Sequence, residues 1–168
     1  VFNAENMQFT DVNLKANAVV YEPGNVSASF ENVSFIDRSG FQLKNLTTDL
    51  QVSNTITTLK NLSVRTNNNS ISGYVSMNYN SIDALIQQPN STRISVNVPS
   101  LNVNPKDAYF FSPELKSNEY ITALSKKQVT GSLQLNGDVN NITIPKTSLN
   151  WGKNTKIYLE GTIKNALD

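Results

Sequence analysis

The side chains able to do chemistry in this chain are mainly carboxylates, because cysteine and histidine are both absent from its 168 residues. Without them there is no thiolate nucleophile, no imidazole base and no zinc site built from those ligands. A glycosidase requires two carboxylates facing each other across a cleft, an arrangement that the sequence leaves open. An enzymatic function therefore ranks last, and we predict no catalytic residue, no metal site and no cofactor. The acids considered share no motif and are Asp37, Asp49, Glu114, Glu119 and Glu160.

The charge of the chain does not indicate a nucleic-acid partner. Its 14 basic and 13 acidic residues leave a net charge of +1, and the basic residues are scattered along the chain. Nucleic-acid binding requires a clustered basic surface, so we expect no such partner. No apolar run approaches the roughly 20 residues of a membrane-spanning helix. Since the chain begins at Val1 without a methionine, we expect it to be a segment of a larger protein.

A four-residue unit, apolar–any–Asn–apolar, occurs three times in the first half, at 30–33, 43–46 and 59–62. Apolar and polar residues alternate on both sides of each copy, but the alternation shifts by one residue within the unit. Such a shift inside a strand indicates a β-bulge. Two explanations of the asparagine remain open: its side chain hydrogen-bonds the backbone at the kink, or it tolerates unusual backbone angles there.

The alternation itself predicts antiparallel strands with one buried and one solvated face. Predicted turns lie at 23–24, 37–40, 54–55, 67–69 and 152–154, where Pro, Gly, Asn and Asp are concentrated. Gly131 and Gly137 share one parity, which favours a single long strand from Val129 over a tight hairpin at Asn136-Gly137. Another strand is expected to end before Pro99.

Two helical regions interrupt the strand pattern. The first spans about 81–88 and ends at Pro89, and the second spans about 105–127 and begins at Asn104-Pro105, an N-cap followed by proline. We divide the fragment into strand repeats at 1–103, a helical insert at 104–127 and further strand repeats at 128–168. The aromatic run at 109–111 is either a plug that contacts lipid or a partner, or a helix packed on the sheet.

The apolar strand faces have two possible covers. Two sheets stacked as a sandwich would hide them against each other, whereas a single open and strongly curved sheet would leave them lining a trough that holds acyl chains. The recurring bulges favour curvature, but the pattern alone does not decide between the two architectures.

Several stretches together resemble the AsmA/TamB-like superfamily, especially the TamB-like translocation and assembly module proteins of Bacteroidetes. The resemblance covers most of the chain as a pattern of degenerate β repeats, and no single motif is diagnostic. The stretches that carry it are SGFQL (39–43), LTTDL (46–50), LKNLSVRT (59–66), NSI (69–71), MNYNS (77–81), FSPEL (111–115), residues 131–142 and LEGTI (159–163).

The resemblance implies a mainly β fold: a long curved antiparallel sheet, β-taco or groove-like, with the short helices inserted around 81–88 and 105–127. It implies a periplasmic segment of a protein anchored in the inner membrane. The expected role is non-catalytic: phospholipid transport between inner and outer membrane, or outer-membrane protein assembly and secretion. The implied partners are phospholipid acyl chains and, through regions outside this fragment, an outer-membrane β-barrel protein.

The candidates for lining the groove are apolar residues on the strand parity taken as inward, although each shift of the alternation resets that parity. They are Phe30, Phe41, Leu43, Leu50, Val64, Val75 and Met77.

The alternative function is a surface-exposed β-sandwich, either an adhesin or a carbohydrate-binding module. This hypothesis predicts two sheets face to face and an exposed aromatic platform near Trp151, Tyr158 or Tyr74.

Overall fold

The structure, a computed structural model, describes residues 8–138 and 140–164. These residues form one sheet of nine antiparallel strands in which each strand pairs with its neighbours in the chain. The strands are β1 (Phe9–Glu22), β2 (Asn25–Asp37), β3 (Gln42–Ser53), β4 (Ile56–Thr66), β5 (Ser70–Asn78), β6 (Arg93–Val103), β7 (Val129–Asp138), β8 (Asn141–Trp151) and β9 (Thr155–Lys164).

The sheet is open, with β1 and β9 as its two outer strands. Eight inter-strand spacings of about 4.8 Å make it roughly 38 Å wide. The predicted mainly β fold with a long antiparallel sheet and short inserted helices is therefore confirmed. The alternative hypothesis predicts two sheets packed face to face. This prediction is wrong for the described residues, because all of their strands belong to one sheet.

Irregularities occur in every one of the eight strand pairs, and three of them lie at the repeated four-residue unit. The pairing register shifts between Phe30 and Val33, between Leu43 and Asn45, and between Leu59 and Leu62. The three predicted bulges are thus confirmed. Because bulges bend a strand and increase its twist, their recurrence gives the sheet its curvature.

The bulge in β4 shows why asparagine suits this unit. Asn61 has a φ of +51°, a left-handed conformation that asparagine tolerates better than most residues. Its side-chain Nδ2 donates to Asp49 Oδ2 at 2.7 Å on the neighbouring strand and not to the backbone. The tolerance explanation therefore holds at Asn61, whereas Asn32 and Asn45 are not in the left-handed region.

Helix α1 (Ile82–Gln87) joins β5 to β6 and is followed by a 3₁₀ turn, Pro89–Ser91. Its N-cap is Ser81, whose hydroxyl accepts from the Ala84 N–H at 3.0 Å. The helical insert, residues 104–128 between β6 and β7, contains helices α2 (Ala108–Phe111) and α3 (Glu119–Leu124) and two 3₁₀ turns, Pro105–Asp107 and Pro113–Ser117. Both predicted helical regions are confirmed, but α3 ends at Leu124, earlier than expected.

Two expectations about prolines and glycines had different outcomes. The strand expected to end before Pro99 continues to Val103, because the proline occupies a bulge where its missing N–H breaks no regular ladder bond. The long strand expected from Val129 is confirmed as β7, which contains Asn136 and Gly137. Val139, which follows it, lies outside the described residues.

Candidate functional site

The face of the sheet that carries the apolar side chains, here called the apolar face, extends across all nine strands. Directly paired residues of antiparallel strands place their side chains on the same face, so the register identifies its members. One row of partners runs near the helical insert: Leu14, Val33, Leu46, Val64, Ile71, Leu101, Gly131, Leu149 and Ile157. A second runs at the opposite strand ends: Tyr21, Val26, Val52, Thr57, Met77, Ile94, Gly137, Ile142 and Ile163.

The opposite face is polar across almost the whole sheet. A row of direct partners one position out of phase with the second apolar row runs through Val20, Ser27, Gln51, Thr58, Ser76, Ser95, Asn136, Thr143 and Thr162. Only the first of these, on the outer strand β1, is apolar. The separation of the two faces is therefore maintained from one edge of the sheet to the other despite the bulges.

Six of the seven residues predicted to line a groove are strand residues on the apolar face, and Phe41 lies in the β2–β3 turn at its end. Val64 belongs to the row near the insert and Met77 to the row at the opposite ends. Leu50 and Val75 belong to a third row between them, and Phe30 follows Ala28 of that row by two positions in β2. At the end of the sheet beside the insert, Phe41 and Leu43 are buried.

The sequence prediction missed the second half of the apolar face. The missed members lie on β6 to β9, where the same alternation was visible but no residue was chosen. They include Val96, Val98, Leu101, Leu149 and Ile157. Of these, Val98, Leu101 and Leu149 form a buried cluster, and Val103 and Val129 pack against it.

The apolar face has little protein cover. Among the described residues, no large side chain is fully enclosed, and most members of the face are half-buried. Exposure is greatest on the outer strand β1, where Leu14 is 64% and Tyr21 78% exposed. A contiguous apolar surface that the chain itself leaves open is characteristic of a binding surface.

The helical insert closes one end of the apolar face through aromatic contacts. Phe41, in the β2–β3 turn, packs edge-on against Phe111 and Phe110, with ring centroids 4.8 and 6.0 Å apart. The row of rings continues from Phe41 to Phe35 and then to Phe9 on β1. The aromatic run at 109–111 is thus a helix packed on the sheet, at the end of the apolar face.

A buried carboxylate fixes the insert to the β4–β5 turn. Asp107 is 5% exposed and accepts hydrogen bonds from the Asn68 and Asn69 side chains at 2.6 and 2.7 Å, and from the Thr66 hydroxyl. Nearby, the Asn104 N–H donates to Asn69 Oδ1 at 2.6 Å. These bonds join segments about 40 residues apart and make the insert part of the folded unit.

The same insert also contacts β8, the strand next to the outer strand β9. Trp151 Nε1 donates to the Leu124 carbonyl at 2.9 Å, and the Lys127 ammonium lies 4.3 Å from the centre of the Trp151 ring. Trp151 belongs to the apolar face, whereas Tyr158 and Tyr74 lie on the polar face. The three aromatic residues considered for a carbohydrate platform therefore do not share a surface.

Two of the five carboxylates considered for catalysis, Asp49 and Asp37, accept structural hydrogen bonds. Asp49 accepts from Ser29 Oγ and Asn61 Nδ2, both at 2.7 Å, and these hydrogen bonds lower its pKa. Asp37 accepts from the Ser39 and Gln8 N–H groups, and the hydrogen bonds from Ser39 lower its pKa most. No group of three or more potential metal ligands occurs in the described part of the chain.

The chain matches no known family model, no curated protein and no solved structure. In residues 8–138 and 140–164, no helix is both long enough and apolar enough to cross a membrane.

Proposed function

We propose that this chain is a non-catalytic periplasmic segment of an AsmA/TamB-like envelope-spanning protein, and that its apolar face binds phospholipid acyl chains during transport between inner and outer membrane. The observation that carries the proposal is the pair of mainly apolar rows that cross all nine strands of a single open sheet. The resemblance of the strand repeats to that superfamily supports the same role.

The energetics favour an acyl chain as the ligand of this face. Each methylene group transferred from water to an apolar surface contributes about 0.8 kcal/mol, and the contribution does not depend on direction. A continuous apolar surface about 38 Å wide offers an acyl chain many nearly equivalent positions. Such a surface favours movement along the sheet over retention at one specific site.

The second feature that supports the proposal is the polar face of the sheet. Its Ser, Thr, Asn and Gln side chains offer an acyl chain no continuous apolar surface, so that lipid adheres to one face only. Assembly of outer-membrane proteins with a β-barrel partner is the other role implied by the resemblance. The apolar face favours lipid, because the partner is expected to bind regions outside this segment.

Two adjacent residues of β6 provide a matched test. Val96 lies in the middle of the apolar face and Asn97 on the polar face. We expect Val96→Asp to reduce the occupancy of a diacyl phospholipid, measured by native mass spectrometry, on the order of tenfold, which corresponds to about 1.4 kcal/mol. The control Asn97→Asp introduces the same group on the other face and retains binding. Equal binding by both variants, or no lipid on the wild-type chain, contradicts the proposal.

A further inference from the structure

A cavity of about 510 Å³ lies between the helical insert and the β2–β3 and β4–β5 turns. Its volume is within the range of small-ligand sites. The lining combines two lysines with hydroxyl, amide and aromatic groups and contains no carboxylate. The residues that matter here are Lys106, Lys116, Ser39, Asn68, Tyr109 and Phe110.

Two basic residues line this cavity. Lys106 and Lys116 come from two different 3₁₀ turns of the insert. Hydrogen bonding to Ser125 and Thr122, with a smaller contribution from these two charges, lowers the pKa of the Tyr109 hydroxyl. The nearby Asp107 is directed to the β4–β5 turn, where its oxygens accept from Asn68 and Asn69.

One side chain is shared by the cavity and the aromatic row at the end of the apolar face. Phe110 lines the cavity and also packs edge-on against Phe41, at 6.0 Å between centroids and 64° between planes. Phe41 in turn contacts Phe35 of the apolar face. The cavity and the row of aromatic rings are therefore neighbours that share the Phe110 ring.

We propose that this cavity is a phosphate subsite that receives the head group of a phospholipid whose acyl chains lie on the apolar face. The inference rests on the acyl-binding role proposed above and adds a preference for the phosphodiester. Lysine ammonium groups bind phosphate as point charges, and Asn68 Nδ2, which donates one hydrogen to Asp107, retains a second N–H for a phosphate oxygen.

The test compares three probes: a short-chain phosphatidylglycerol, the diacylglycerol with identical chains, and glycerol phosphate. Native mass spectrometry measures the two lipids, and amide chemical shifts in NMR spectra measure glycerol phosphate. The variant is Lys106→Ala with Lys116→Ala. The control is Lys146→Ala with Lys156→Ala, which removes the same charge from exposed positions on β8 and β9 that do not line the cavity.

We expect the wild-type chain to bind phosphatidylglycerol about fivefold more tightly than diacylglycerol, since two exposed ammonium groups contribute modestly each. The Lys106/Lys116 variant loses this preference and keeps its affinity for diacylglycerol, while the control variant keeps both. Equal affinity of the wild-type chain for the two lipids overturns the phosphate subsite and leaves the acyl-binding face intact.

Failure of the acyl-binding role has a different signature. If neither lipid binds, the NMR measurement with glycerol phosphate becomes the only test of the phosphate subsite. Shifts of the Tyr109 and Phe110 amides that disappear in the Lys106/Lys116 variant support a phosphate site independent of lipid chains. Unchanged amides in the wild-type chain overturn it.

Discussion

Asn69 Nδ2 donates a hydrogen bond of 2.7 Å to Asp107 Oδ2, which connects the β4–β5 turn to the insert 38 residues later. The same carboxylate accepts from the Asn68 side chain and from the hydroxyl of Thr66, the last residue of β4, so one buried acid satisfies three polar side chains at this end of the hairpin. Because an acceptor lost from a buried site leaves its donors unsatisfied, this residue determines how firmly the insert is held.

Asp107→Ala is expected to lower the free energy of unfolding by about 3 kcal/mol, since hydrogen bonds to a charged acceptor are stronger than neutral ones. The measurement is urea unfolding followed by the fluorescence of Trp151, the only tryptophan of the chain and a contact of the insert. Glu160→Ala, an exposed acid on β9, is the control and remains near wild type. A loss no greater than that of the control contradicts the structural role of Asp107.

Phe41→Ala is expected to cost about 3 kcal/mol, because Phe41 is 9% exposed and its ring contacts Phe35, Phe110 and Phe111. Tyr120→Ala removes a ring that is 73% exposed and is expected to change stability by less than about 0.5 kcal/mol. The measurement is the stability of the two variants in thermal and chemical unfolding. Similar stabilities would show that the aromatic row does not hold the end of the sheet.

Gly137→Ala is expected to be destabilising by about 3 kcal/mol for two reasons. Its φ is +140°, and an added Cβ lies 2.0 Å from the Asn141 carbonyl oxygen on the next strand. Gly161→Ala separates the two effects, because φ there is +154° but no atom lies within 4 Å of the added Cβ. We expect about 1 kcal/mol for that control from backbone strain alone, and equal costs would exclude the steric contribution at Gly137.

Asp49 provides a test by pH. Hydrogen bonds from Ser29 and Asn61, and the charge of Lys60, lower its pKa in the folded state below the ordinary value of 3.8. A lowered folded pKa gives stability that is present above 3.8 and is lost as the pH falls through the folded value. The melting temperature of Asp49→Asn should therefore lie below that of the wild-type chain at neutral pH and converge with it in strong acid. A difference that persists unchanged in acid contradicts the assignment.

The strand framework was predictable because its determinants are local. Alternation identifies the two faces, and the shifts at 30–33, 43–46 and 59–62 identify bulges, since both patterns depend on neighbouring residues alone. The expectation at Pro99 was wrong for the same reason: a local rule for proline does not reveal that a bulge is available.

The end of the sheet was not predictable from the sequence. Asp107 contacts residues 66–69, and Lys106 and Lys116 line one cavity with Asn68, only because the insert folds back on the β4–β5 turn. No periodic pattern marks such contacts between distant segments. The pairing register was also needed to decide which residues of each strand lie on the apolar face, because every bulge changes the relation between sequence position and face.

Pairing of each strand only with its chain neighbours has a consequence for how such a protein varies in length. A duplicated or deleted hairpin changes the width of the sheet by two strands, while the remaining strands keep their direction and the assignment of their side chains to the apolar or the polar face. Homologous chains that differ by whole hairpins are therefore expected to retain one uninterrupted apolar face whose width changes in steps of two strands.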